Sequence, residues 1–156
     1  MALIDETERE LILDNVKSAL ENIIEGSPYP ASVSGYYHYT PFVTREPLSY
    51  DEVKQFPTYC IVDSEESFAY HGKRVVNSFS FIVRAFHRTQ VAKDGSMIRN
   101  RMAKDISAAI SVDVSRGGYA GNTEAVSVVG DEGWISPVVA IEETFRVVYY
   151  TLEQNR

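Results

Sequence analysis

The chain has 156 residues, 44% of them hydrophobic and 24% charged, and a formal net charge of −7. This suits one globular domain, residues 1–156, and excludes global disorder. The acidic balance argues against tight nucleic-acid binding, which rests on cations that neutralise phosphates.

The segment from Thr7 to Glu25 predicts a helix. Thr7 has Glu10 three residues on, the spacing of a capping box, and Leu11, Ile12, Val16, Ala19, Leu20, Ile23 and Ile24 recur at three and four. Gly26-Ser27-Pro28 then predicts its end. From Tyr29 to Gln55 the pattern is irregular, with Tyr36, Tyr37, Tyr39 and Phe42 favouring a short strand or an extended loop. Residues 56–63 predict a compact strand, and Val75–His87 a clearer one. In the latter Phe79, Phe81, Val83 and Ala85 share one face. Tyr70-His71-Gly72-Lys73 supplies the turn between them. A second helix is expected from about Ser96, its cap, to Val112, with Met102, Ile106, Ala109 and Ile110 on one side. Arg116-Gly117-Gly118-Tyr119-Ala120-Gly121-Asn122 is expected to break it. Two strands follow, Glu124–Gly130 and Val138–Leu152. Paired strands joined by short turns predict an α+β fold: a mostly antiparallel sheet of four to five strands, with the N-terminal helix and a second helix packed on one face.

The sequence offers little chemistry. His38, His71 and His87 stand at no metal-ligand spacing from one another or from Cys60. Cys60 lies in the apolar run 56–62, which predicts a reduced, buried thiol. The glycines at 117–121 close a helix instead of opening one and no lysine follows, so they are not a phosphate loop. No catalytic, cofactor-binding or metal-binding residue is assigned. No run reaches the ~20 apolar residues that span a bilayer. The first residues lack the basic start and apolar stretch of a signal peptide, so a cytoplasmic chain is expected.

Charge is distributed in blocks. Residues 1–70 hold 4 basic and 13 acidic side chains (−9), residues 71–104 hold 8 and 1 (+7), and residues 105–156 hold 3 and 8 (−5). The basic block calls for a partner, either an acidic segment of the same subunit or one of a neighbour. On the last strand Glu142, Thr144 and Arg146 share a polar face, either solvated or turned to another subunit. Glu143 falls on the opposite face, with Val139, Ile141, Phe145, Val147 and Tyr149. If that face is the core, Glu143 must lie near its edge or meet a basic partner.

One stretch has a familiar order. A basic segment follows a long strand; then come Met102-Ala103-Lys104-Asp105-Ile106-Ser107-Ala108-Ala109-Ile110, Arg116-Gly117-Gly118-Tyr119-Ala120-Gly121-Asn122-Thr123, a Val-rich strand, an acidic turn and a strand ending Val147-Val148-Tyr149-Tyr150. Over most of residues 56–152 the chain resembles the tail terminator (tail completion) proteins of long-tailed bacteriophages. The resemblance implies a small α+β subunit, without catalytic residues, in a hexameric ring at the head-proximal end of a tail tube. It implies as partners further copies of the chain, the tail tube protein, neck and connector proteins, and the sheath protein where a sheath exists. DNA would pass through without specific binding, and the location would be the virion tail, assembled in the host cytoplasm. No membrane is involved. The residues taken for a subunit or partner interface are Lys73, Arg74, Arg88, Arg99, Arg101, Glu142, Thr144 and Arg146. Another head–tail connector or neck subunit, or a small ligand-binding domain with Tyr36, Tyr37 and Tyr39 as a pocket wall, are the competing readings.

Overall fold

A computed structural model describes residues 7–24, 40–131, 133 and 135–152. The elements in chain order are α1 (Glu8–Glu21), β1 (Phe42–Thr44), β2 (Thr58–His71), β3 (Arg74–Arg88), a short 3-10 turn (Ala92–Asp94), α2 (Gly95–Ser111), β4 (Asn122–Gly130) and β5 (Val138–Leu152). The expected Gly26-Ser27-Pro28 stop, Tyr36, Tyr37, Tyr39 and His38 lie outside the described residues.

The start of α1 is the capping box that the Thr7/Glu10 spacing predicts. The Glu10 amide donates to Thr7 Oγ1 at 3.2 Å, and the Thr7 amide donates to Glu10 Oε2 at 3.0 Å. The helix ends at Glu21, earlier than expected, with the Asn22 amide still donating to Ser18 and Ala19. Ile12, Leu13, Val16, Leu20 and Ile23 are buried, whereas Ile24, expected on the same stripe, lies beyond the helix end and is exposed. The second helix also begins earlier than expected. Its N-cap is Asp94, which makes no side-chain capping bond, and Ser96 sits exposed within the first turn. Met102, Ile106, Ala109 and Ile110 are buried as the periodicity requires.

The five strands form one sheet in the order β1-β2-β3-β5-β4. All neighbours are antiparallel except β1, a three-residue strand within the irregular segment that pairs in parallel with Thr58–Cys60 of β2. Strand β2 continues to His71, well past residue 63. Its polar run Asp63-Ser64-Glu65-Glu66 has no alternation of its own, and the ladder to β3 carries it, with a register shift between Asp63 and Glu66. Strand β5 lies between β3 and β4, so α2 crosses over β5 to connect two strands that run parallel to each other.

Both helices cover the same face. Their buried residues join one core with Tyr59 and Ile61 of β2, Phe79, Phe81, Val83 and Ala85 of β3, and Val139, Ile141, Phe145, Val147 and Tyr149 of β5. At its centre Phe81 and Phe145, directly opposite in register, stack with centroids 5.2 Å apart. Helix α1 lies over β1 and β2, and α2 over β5 and β4.

Beyond α2 the chain turns through three consecutive left-handed residues, Arg116 (φ 50°), Gly117 (φ 72°) and Gly118 (φ 91°). These glycines therefore do not cap the helix, whose C-cap is Val112 in the right-handed region; they reverse the chain toward β4. A Cβ on Gly118 would meet no atom within 4 Å, while one on Gly117 would lie 3.3 Å from Asn15 Nδ2 of α1. Gly118→Ala is thus expected to cost only the backbone strain, about 1–2 kcal/mol, and Gly117→Val more. Urea denaturation of the two variants checks this, and equal midpoints for both variants and the parent would show that the turn is free to rearrange.

Candidate functional site

The face away from the helices carries a charged row across three strands. Arg84 Nε donates to Glu142 Oε1 at 2.9 Å, and Arg146 Nη1 donates to Glu124 Oε1 at 3.3 Å. Thr144 stands between them, opposite Ile82 of β3. The sheet's alternation therefore brings Glu142, Thr144 and Arg146 onto one face, as the sequence predicts, and partners on β3 and β4 neutralise the two charges. Beside this row lies a groove of about 420 Å³, lined by Tyr50, Arg84, Phe86, Val129, Asp131 and Glu142. The segment after β1 closes one wall, where Arg84 Nη1 donates to the Leu48 carbonyl at 3.4 Å.

The remaining candidate residues do not gather there. Lys73 and Arg74 sit at the β2–β3 turn, with the Arg74 guanidinium 4.1 Å above the Tyr150 ring. Arg88 ends the same strand, roughly 45 Å away at 3.3 Å per residue, with its guanidinium 5.3 Å from the Phe56 ring. Arg101 is on the exposed side of α2. Arg99 is turned inward: Nη1 donates to Asp131 Oδ1 at 2.7 Å, with both side chains largely shielded. Asp131 also accepts from the Gly133 amide at 3.0 Å and the Ala140 amide at 3.2 Å, so this pair ties α2 to the β4–β5 connection. Of the basic block, Arg84 and Arg99 thus pair within the subunit.

Among the described residues three charged side chains are buried, Asp105 on α2, Arg116 and Glu143, and of these sequence reasoning reached only Glu143, incompletely. Glu143 is 1% exposed, at the middle of β5 between Val83 and Val128, not at the core's edge and, among the described residues, not against a cation. Ser107 of α2 donates its hydroxyl to Oε1, and Oε2 has no partner among the described residues. Burial pushes its pKa from 4.5 to about 7, with the Ser107 bond opposing. Arg116 is fully buried behind α2 and donates from Nη2 to the carbonyl of Ile110, in the last turn of the helix, and to that of Asp113 in the turn beyond it, which also accepts from the Arg116 amide. Nothing in the local pattern distinguishes it from a solvated loop arginine. Asp113 sets the turn by accepting from the Ser115 and Gly117 amides at 2.9 and 2.7 Å, and these bonds with the Ser115 hydroxyl hold its pKa below the usual value.

The other titratable candidates are structural. Cys60 is fully buried, and burial raises its thiol pKa, which leaves it a poor nucleophile. Tyr149 donates to Glu66 Oε1 at 2.7 Å, and Arg9 holds the other oxygen of Glu66, which links β5, β2 and α1. Burial and the Glu66 carboxylate raise the Tyr149 pKa. His71 is exposed at the end of β2, and His87 Nδ1 accepts from the Arg88 amide. Among the described residues no group of His, Cys, Asp and Glu could hold a metal ion, and no helix is long and apolar enough to cross a membrane.

Two outcomes follow. The folded carboxyl of Glu143 keeps its proton to a higher pH than the unfolded one, so stability falls as pH rises from about 4.5 to about 7, by a total on the order of 3 kcal/mol. Glu143→Gln should flatten that slope in urea titrations between about pH 4 and about pH 8; an unchanged slope would place the titration elsewhere. Arg99→Glu sets a carboxylate against Asp131 and should destabilise the isolated subunit by about 1.5–3 kcal/mol, while Arg101→Glu should cost less. Thermal denaturation distinguishes them, and an Arg99 variant as stable as the parent would remove the tie from α2 to the β4–β5 connection. In comparisons with known proteins, no family model matches the chain and no curated protein matches it.

Proposed function

We propose that this chain is a structural subunit, six copies of which form a ring at the head-proximal end of a phage tail tube. The ring ends tube polymerisation and joins the tail to the neck. One observation carries the reading: the segments on which the resemblance rests form one contiguous substructure. Helix α2 crosses over β5, the Arg116–Gly118 turn closes behind it, β4 follows, and β5 returns between β3 and β4. Residues 102–110 and 116–123 thus supply the crossover helix and the turn that position the last two strands.

Two features support assembly over chemistry. Glu143 and Arg116 lie within the framework, where they bond to Ser107 and to main-chain carbonyls and do not converge on an opening. The surface, by contrast, presents exposed apolar side chains along β4, namely Val126, Val128 and Val129. In this role the partners are the tail tube protein, neck or connector proteins, and the sheath protein in a sheathed tail. The chain resides in the virion tail after assembly in the host cytoplasm. DNA passes the ring without specific contact, in keeping with a net charge of −7. No catalytic step is assigned.

The 420 Å³ groove beside Tyr50 favours a second reading, a small ligand-binding domain. Polymerisation of the cognate tube protein with and without this chain separates the two. Electron microscopy is expected to show tubes of limited length with added density at one end. Tubes of unlimited length and bare ends, together with a monomer that retains a small molecule in native mass spectrometry, would establish the second reading instead.

A further inference from the structure

The sheet leaves two edges open among the described residues. On one side β4 is the last strand along its whole length. On the other, β1 pairs only with Thr58, Tyr59 and Cys60 of β2, so residues 62–71 form the edge there. Strand β4 contains no lysine or proline and a single charge, Glu124. Val126, Val128 and Val129 on it are 47%, 49% and 63% exposed. Proteins that remain monomeric usually guard such an edge with charge, proline or a covering segment, because its outward backbone groups are a template for another strand.

We propose that β4 of one copy pairs with the outer half of β2 of the next copy, so that the sheet continues from subunit to subunit. This rests on the self-association within the proposed function and on none of its tail-specific content. Strand direction fits this occupant. Three antiparallel steps separate β2 from β4, so the two edges run in opposite directions. A second copy set alongside in the same orientation then presents its β2 antiparallel to β4. Level fits as well: through β5, β4 stands opposite residues 78–85 of β3, and the free part of β2 stands opposite residues 74–82. The overlap is partial, and a stagger of about three residues, roughly 10 Å, aligns the whole. Head-to-tail contacts of this kind close into rings or run on into filaments.

Charge selects β2 over a second β4. Helix α2 lies over β5 and β4, and its outer face with the preceding turn exposes Lys93, Arg101 and Lys104. Helix α1 lies over β1 and β2 and exposes Glu8, Glu10, Asp14 and Glu21. Asp14 is on the flank toward the β1 edge, where Arg45 approaches it at 3.6 Å. Head-to-tail pairing sets the basic helix of one copy beside the acidic helix of the next; a two-fold β4–β4 pair would set basic beside basic. On the β2 edge itself, Arg45 and Arg9 of the same chain neutralise Asp63 and Glu66.

The test uses the full chain in sedimentation and native mass spectrometry from micromolar to millimolar concentration. The parent should form species larger than a dimer. Val126→Lys/Val128→Lys, which blocks β4, and Ser67→Lys/Ala69→Lys, which blocks β2, should each remain monomeric with unchanged circular dichroism. Mixed together they should form a one-to-one pair and nothing larger, because only one intact junction remains between them. A parent that stays monomeric, a β2 variant that assembles like the parent, or a mixture without the pair overturns the inference. Should either variant fail to fold, amide hydrogen exchange on the parent decides: residues 62–71 and 122–130 must both slow on assembly, and oligomers in which either stretch exchanges as in the monomer rule the junction out. Chains that assemble through these edges yet leave tube growth unchanged sink the tail role alone, whereas both lysine variants capping tubes sinks the junction alone.

Discussion

Strands β3 and β5 pair without interruption from Arg74 opposite Leu152 to Arg88 opposite Val138, and the rest of the chain is arranged on that seam. Its helix-side face sets Phe79, Phe81, Val83 and Ala85 against Val147, Phe145, Glu143 and Ile141, so each apolar side chain has a neighbour at cross-strand distance. Side chains of this size contribute about 1.5–3 kcal/mol each when fully buried, and the stacked Phe81–Phe145 pair adds an aromatic term. Helices α1 and α2, of 14 and 17 residues, draw most of their stability from packing their apolar faces on this surface. Strands β2 and β4 then add to the two flanks.

Against that apolar surface the buried polar groups divide by how well they are satisfied. Asn77, fully buried on β3, donates to Thr151 Oγ1 at 3.0 Å and reinforces the seam near its end. Arg116 donates to the carbonyls of Ile110 and Asp113 and so ties the end of α2 to the turn after it, at the cost of burying a cation whose Nε and Nη1 lack partners among the described residues. Glu143 has one hydroxyl bond and, among the described residues, no cation, and burial accordingly moves its pKa toward neutrality. The first two are interactions that hold the framework, and the third weakens it as pH rises. None lies where a substrate could reach it.

On the surface the balance is different. Exposed ion pairs such as Arg146–Glu124 and Arg45–Asp63 are worth ~0–1 kcal/mol each, so they tune the sheet faces without holding the fold. Lys93, Arg101 and Lys104 are exposed along α2 and the turn before it, and Glu8, Glu10, Asp14 and Glu21 along α1. Together with two open sheet edges of opposite direction, this gives the subunit an asymmetric pair of flanks, the requirement for a head-to-tail assembly.

The sequence by itself determined what depends on a single segment. The Thr7 capping box, the core sides of both helices, the alternation of β3 and β5 and the burial of Cys60 all follow from spacing within a few residues, because helix and strand impose their periods locally. The shared face of Glu142, Thr144 and Arg146 was legible for the same reason. The tertiary structure decided what depends on residues far apart. It inserted β5 between β3 and β4, carried β2 through a polar run that has no strand pattern of its own, and drew Arg99 inward to Asp131. It also buried Arg116 on two main-chain carbonyls and set Glu143 in the core against the Ser107 hydroxyl. Each of these is settled by which partner the folded chain places within a few ångströms, and no periodicity along one segment encodes that choice.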